Sequence, residues 1–225
     1  VFIDKWHFCE SWEKDEGVFT FIKQDDLYSW NTFLSLYLSE QLFPRFLENG
    51  YCRTTIDAGA NYGALTYPFA IISENVHAFE MRKDVIECNK LNTKHFGNVQ
   101  YHNVALSDTK KDIVIFMDTR SGLSCIWDDK MKQPDQPLFN YIHDREKNHY
   151  KDFKDYDESE ITFKHDKSST IDEYDLKNVD FFKLDVQFQE EEVLRGAINT
   201  LKRNTPLIIA EHPGGRNFRY MQQSC

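Results

Sequence analysis

The chain has 225 residues, a formal net charge of −10, and 40% hydrophobic and 15% aromatic content. That is too apolar for a disordered chain and long enough to bury a full core. The acid excess disfavours nucleic acid as a partner, because such binders need a basic face to displace counterions. No window reaches the roughly 18 apolar residues of a membrane span.

Residues 1–50 are aromatic-rich, and Trp30 to Leu47 carries an apolar helical pattern interrupted at Pro44. The expectation is an N-terminal helical segment packed on the domain or serving as a lid, with Gln24, Asp25 or Tyr28 near substrate. Asn49-Gly50 then supplies a stop before the first strand.

Arg53-Thr54-Thr55-Ile56-Asp57-Ala58-Gly59-Ala60-Asn61-Tyr62-Gly63 organises the rest. A β-prone run ends in an acid, turns on two glycines and opens into a helical pattern from Ala64 to Ile72. A second apolar run, Val76 to Phe79, ends in Glu80, where an acid can accept hydrogen bonds from both ribose hydroxyls. A dinucleotide site needs Gly-x-Gly-x-x-Gly for its pyrophosphate, but Asn61 stands where the second glycine belongs. Asp57 before the turn repels phosphate and suits a cation. S-adenosyl-L-methionine, a sulfonium without phosphate, fits that pattern.

Asp84 to His95 reads as a helix, Val99 to Leu106 as a third strand, and Ile113 to Phe116 as a further, antiparallel strand. From about 118 to 166 the periodicity breaks down, which predicts a variable, substrate-facing insertion. Val179 to Asp185 is a buried-strand run ending in an acid. Glu190 to Leu201 reads as one helix with acids in its first turn, and Pro206 to Ala210 as a fifth strand followed by Glu211-His212. Acids at strand C-termini mark the edge where open α/β sheets bind ligands. Five cysteines (Cys9, Cys52, Cys88, Cys125 and Cys225), odd in number and far apart, predict reduced thiols and a cytoplasmic setting. No Cys/His cluster calls for a metal. No signal-peptide pattern opens the chain.

The ordered set Asp57 to Gly63, Ala78-Phe79-Glu80 with Asn89 and Asn92, Asn103 to Asp108, Thr170-Ile-Asp172, Lys183 to Val186, Glu190 to Ala197 and Pro206 to Glu211 resembles the FkbM-type family of S-adenosylmethionine-dependent methyltransferases. The resemblance implies a Rossmann-like class I fold, α/β with a mainly parallel sheet and helices on both faces. The implied activity is O-methylation of a hydroxyl on a small molecule or glycan. It places Asp57, Gly59, Asn61 and Gly63 around the methionine part of the cofactor and Glu80 on the ribose. Asn103, Val104 and Ala105, with Ser107-Asp108, fall near adenine, and Asp185 beside the sulfonium.

Two departures stand out. Phe188 occupies a position where glycine is usual, and the closing antiparallel hairpin of the sheet is not evident in the remaining residues. An open sheet edge invites covering by a second copy, hence an expected homodimer. Asp185 and His212 are the candidate general bases, with Lys183 or Glu211 as orienting partners; Asp185 and Glu211 also offer hard oxygen ligands for a divalent ion. The rival readings are a catalytically silent binding module and a nicotinamide-dependent oxidoreductase on the same fold.

Overall fold

The computed structural model describes residues 52–118, 124–127, 161–210 and 219–220. The expected N-terminal segment, most of the insertion, and Glu211 and His212 lie outside the described residues.

Strands β1 (Cys52–Ala58), β2 (Ser73–Glu80), β3 (Val99–Asn103), β8 (Val179–Leu184), β9 (Leu207–Ala210) and β10 (Arg219–Tyr220) form one sheet in the order β10-β9-β8-β1-β2-β3. Every pair is parallel except β9 with β10. Helices α1 (Thr66–Ile72) and α2 (Lys83–Asn92) follow β1 and β2, and α3 (Glu190–Arg195) and α4 (Ile198–Asn204) follow β8. Pro68 sits in the first turn of α1, where its missing N–H has no intrahelical partner to lose.

Strand alternation sends neighbouring residues to opposite faces and creates two cores. Phe181, Val76 and Ile209 pack with Phe69 and Ala70 of α1 on one face. Phe182, Phe79 and Ile208 pack with Val193 of α3 and Leu201 of α4 on the other. The mainly parallel sheet with helices on both faces is therefore the fold.

Four details differ from the sequence reading. The third strand breaks at Val104, and Ala105–Leu106 (β4) pairs instead with β7 (Ile161–Ser169). The expected antiparallel strand is β5 (Asp112–Asp118), as predicted, and it pairs antiparallel with both β7 and β6 (Ser124–Ile126). The margins of the expected insertion are thus a small second sheet. The run 190–201 is two helices broken at Gly196-Ala197, where an added Cβ on Gly196 would lie 2.2 Å from the Ser107 carbonyl oxygen. Asp172 caps the second of these, accepting from the Asn199 and Thr200 amides at 3.0 and 2.8 Å. Finally, the antiparallel closure missing from the sequence reading is present. Arg219 pairs with Ala210 and Tyr220 with Ile209, so β9 has a two-residue antiparallel neighbour within the chain.

On the α3/α4 face His77 and His102 stack at 5.3 Å, with Nδ1 and Nε2 3.0 Å apart, against Phe79 and Tyr174. Burial holds both imidazoles below their ordinary pKa, and the charge of His77 adds to the effect on His102, which falls to about 4. The unfolded chain therefore takes up protons first. The stability is full above about pH 6.5 and declines as pH falls towards 4. Discounting for the partial exposure of His102, that decline is about 1–2 kcal/mol. His102→Phe should remove it, seen as a smaller loss of melting temperature between pH 6.5 and 4.5 than in the parent chain; an unchanged slope would take His102 out of the acid response.

Candidate active site

The C-terminal ends of β1, β2 and β8 meet in one cleft of about 660 Å³, its solvent-filled mouth included. They are tied together by backbone. The amides of Gly59 and Ala60 both donate to the Phe79 carbonyl at 2.9 Å, and the Asp185 amide donates to the Ala58 carbonyl at 3.1 Å. Gly59 has φ +73°, and a Cβ there would lie 1.7 Å from the Asp185 carbonyl oxygen, so only glycine fits between the two strand ends. Gly63, at φ +97°, is crowded in turn by the Asn89 side chain. Asn89 Nδ2 donates to the Asn61 carbonyl at 3.1 Å and to Thr66 Oγ1 at 2.9 Å, and Asn92 Nδ2 donates to the Tyr62 carbonyl at 2.8 Å. Two asparagines of α2 thus hold the glycine turn in shape.

Glu80 lines the cleft with both carboxylate oxygens braced. Oε2 accepts from the Asn61 amide at 3.1 Å and Oε1 from the Arg82 amide at 2.9 Å. Burial raises its pKa, opposed by those two amides. Each oxygen keeps a further lone pair for a hydroxyl. Arg82, also on the wall, pairs with Asp84 at 2.6 Å. Asp185 stands across the cleft and accepts from Gln187 Nε2 at 3.1 Å.

Asp57 does not reach the cleft wall. It is fully buried on the α1 face, where Oδ2 accepts from Thr66 Oγ1 at 2.7 Å. Lys183 lies opposite it in register, with Nζ 3.2 Å from Asp57 Oδ1 and 3.9 Å from Asp185 Oδ2. The same ammonium donates to the carbonyls of Ala58 and Gly59 at 3.1 and 2.7 Å. It makes no well-shaped hydrogen bond to Asp57 Oδ1, so the link to that oxygen is ionic. Burial pulls the pKa of Lys183 down, but Asp57 and then Asp185 more than offset it, and it stands above its ordinary value. Lys183 is a cationic post behind the cleft, joining the buried acid to the exposed one.

Of the other sequence candidates, Gly59, Asn61, Val104 and Ala105 are in the wall. Asn103 is not; its Nδ2 braces the carbonyls of Glu80 and Met81 at 2.9 and 3.0 Å. Ser107 and Asp108 also lie outside the wall, with Asp108 held to about 2 by its hydrogen bond to Lys111. Phe188 takes φ +73°, the left-handed conformation natural to the glycine usual there, and packs against Phe116 and Cys125. A non-glycine residue there bears backbone strain. Cys52, Cys88 and Cys125 are thiols, each buried. No metal-binding cluster and no helix long and apolar enough to cross a membrane occur among the described residues.

Sequence reasoning missed the wall residues Ser124, Ile126, Gln187 and Gln189. The polar Gln187 and Gln189 beside Asp185 were a readable signal; Ser124, inside an unpatterned stretch, was not.

A mainly parallel sheet with an acid-lined cleft at its C-terminal edge defines a Rossmann-like α/β protein. The family model of the methyltransferase FkbM domain matches residues 57–222, and the chain belongs to that family. Among solved structures it is similar to the methyltransferase FkbM from Methylobacillus flagellatus KT, at 12% identity and TM-score 0.43 over 72% of this chain and 33% of that one. It is also similar to a precorrin-8w decarboxylase from Methanobacterium thermoautotrophicum, at 14% identity and TM-score 0.36 over 75% and 59%. A third is the Haemonchus contortus phosphoethanolamine N-methyltransferase 1, in complex with phosphoethanolamine and S-adenosylhomocysteine, at 23% identity and TM-score 0.23 over 26% and 14%. The chain spans about a third of the length of the Methylobacillus protein. No curated protein matches it.

Proposed function

We propose that the cleft binds S-adenosyl-L-methionine and that the chain transfers its methyl group to a hydroxyl on a small molecule or sugar. The observation that carries this is Glu80, its two oxygens steered by the amides of Asn61 and Arg82 towards a pair of neighbouring hydroxyls. The charge of the wall supports it. Glu80 and Asp185 face the cleft, whereas Arg82 is paired with Asp84 and Lys183 is turned to the carbonyls behind. Such a lining favours a cationic ligand over a diphosphate. The buried carboxylate of Asp57 accepts from Thr66 Oγ1 at the first residue of α1, and negative charge there disfavours a phosphate.

In this reading Gly59, Asn61 and the Gly63 turn shape the methionine side, with Asp57 acting from behind through Lys183. Val104 and Ala105 flank adenine, with Asn103 setting the loop. The cofactor supplies an electrophilic methyl on sulfur. The chain's part is to align the acceptor in a dry site and to draw off its proton through a base within about 3 Å. Asp185 is the proposed base, with His212 as the second candidate. Residues 51–225 make up the methyltransferase domain, with the variable segment at about 118–166 choosing the acceptor and residues 1–50 packing as a lid.

The test is transfer of a tritiated methyl group from S-adenosyl-L-methionine to a panel of sugars and small hydroxylated molecules. Transfer to an alkali-stable ether position supports O-methylation, and transfer confined to amines contradicts it. Glu80→Ala should weaken S-adenosylhomocysteine about tenfold or more, the loss of a charge-assisted partner worth about 1–3 kcal/mol. Calorimetric affinity equal to that of the parent chain removes Glu80 from the site.

A further inference from the structure

Ser124 lies on β6, in the second sheet, far in sequence from every strand tip that forms the cleft. Alternation along β6 sends Cys125 to Phe116 on one side, and Ser124 and Ile126 to the other. Both of the latter line the cleft, and both are nine-tenths or more buried. Ser124 Oγ has no hydrogen-bond partner among the described residues. A buried hydroxyl without a partner is costly and rare in a folded protein, and its presence in a cleft wall points to a ligand that satisfies it.

The surroundings say what kind of ligand. Met81, Ala105 and Ile126 pack in one apolar cluster, and Val104 and Leu106 also line the cleft, so much of its wall is apolar. A wall of that character takes the flat face of a heteroaromatic ring and leaves the polar ring edge in need of a partner. Ser107 and Asp108, the residues that the sequence placed near the base, are outside the wall and occupied with each other and with Lys111. Ser124 is a buried polar side chain of that wall with no hydrogen-bond partner among the described residues.

We propose that Ser124 Oγ reads the amino edge of the adenine ring, accepting a hydrogen bond from its exocyclic amine. The inference rests on the cofactor reading above. It adds a base-selecting residue from β6, in the second sheet.

Calorimetry with S-adenosylhomocysteine, adenosine and purine riboside, which lacks the amine, tests it on the full chain with and without Ser124→Ala. The variant should bind S-adenosylhomocysteine and adenosine about five- to tenfold more weakly. It should bind purine riboside like the parent. Without ligand its melting temperature should equal or exceed the parent's, because an unsatisfied hydroxyl has gone. Equal loss for adenosine and purine riboside, or no loss for either, overturns the proposal, as does a lower melting temperature with unchanged affinities, the mark of a purely structural serine. Ser124→Cys, nearly isosteric with a weak acceptor, gives the same discrimination should the alanine variant fold poorly. If the parent itself does not bind S-adenosylhomocysteine, the cofactor reading fails and this inference with it; loss of the Ser124 effect alone leaves that reading standing.

Discussion

Lys183→Met should destabilise the protein by about 3–5 kcal/mol, a large share of the roughly 5–15 kcal/mol that holds a domain together. Methionine nearly matches lysine in volume, so little is lost in packing. The loss is electrostatic. Asp57 is fully buried, and without the ammonium at 3.2 Å its charge keeps, among the described residues, the Thr66 hydroxyl for compensation. The carbonyls of Ala58 and Gly59 also lose their shared donor. Urea unfolding of Lys183→Met should therefore show a much lower midpoint, and Asp57→Asn combined with Lys183→Met should recover part of it, because the stranded charge is gone. The pH window follows from the raised pKa. Stability from Lys183 is complete below the ordinary lysine value and is lost only as pH rises through the elevated one, so it is flat across neutral pH. A single variant within about 0.5 kcal/mol of the parent would show that the ion pair is not a structural post.

Gly59→Ala should cost about 3–5 kcal/mol, combining severe overpacking with a left-handed backbone. The methyl carbon would overlap the Asp185 carbonyl oxygen at 1.7 Å and its carbon at 2.7 Å, and both are backbone atoms with no rotamer to escape into. Relief requires β8 to move away from β1. That displaces Asp185 from the cleft and opens the bond between the Asp185 amide and the Ala58 carbonyl. Binding of S-adenosylhomocysteine should fall with stability. Gly97→Ala is the control: nothing lies within 4 Å of its would-be Cβ, and its midpoint should stay within about 0.5 kcal/mol of the parent's. Equal behaviour of the two variants would contradict the close approach at Gly59.

The skeleton of this account was readable from residues alone. Asp57 to Gly63, Glu80 and Asp185 fall at strand tips, because a strand–turn–helix order with glycines at the turn has few other solutions. What could not be read was direction. A carboxylate at a strand end can face the cleft or turn under the sheet, and Asp57 does the second while Glu80 does the first. The partner that settles it, Lys183, is far along the chain and becomes a neighbour only through the β1–β8 register. There was a clue: a lysine inside Phe181-Phe182-Lys183-Leu184 sits in a buried run and demands a counter-charge. The break at Val104 and the transfer of Ala105–Leu106 to a second sheet were illegible, since a continuous apolar run does not reveal where its partners change. Phe188 is a second such case. A phenylalanine gives no sequence signal for a left-handed turn, yet Phe188 adopts one with its ring on Phe116 and Cys125. Ser124 had no signal of its own, because its meaning comes from a cavity assembled by five separate segments.

The central claim is that carboxylates and glycines at the sheet edge accept an adenosyl ligand that carries no phosphate. Isothermal titration of the same preparation with S-adenosylhomocysteine and with NAD tests it most directly. The account predicts saturable one-to-one binding of the first and no measurable heat from the second. Tight binding of NAD, or indifference to S-adenosylhomocysteine in a folded sample, would contradict it.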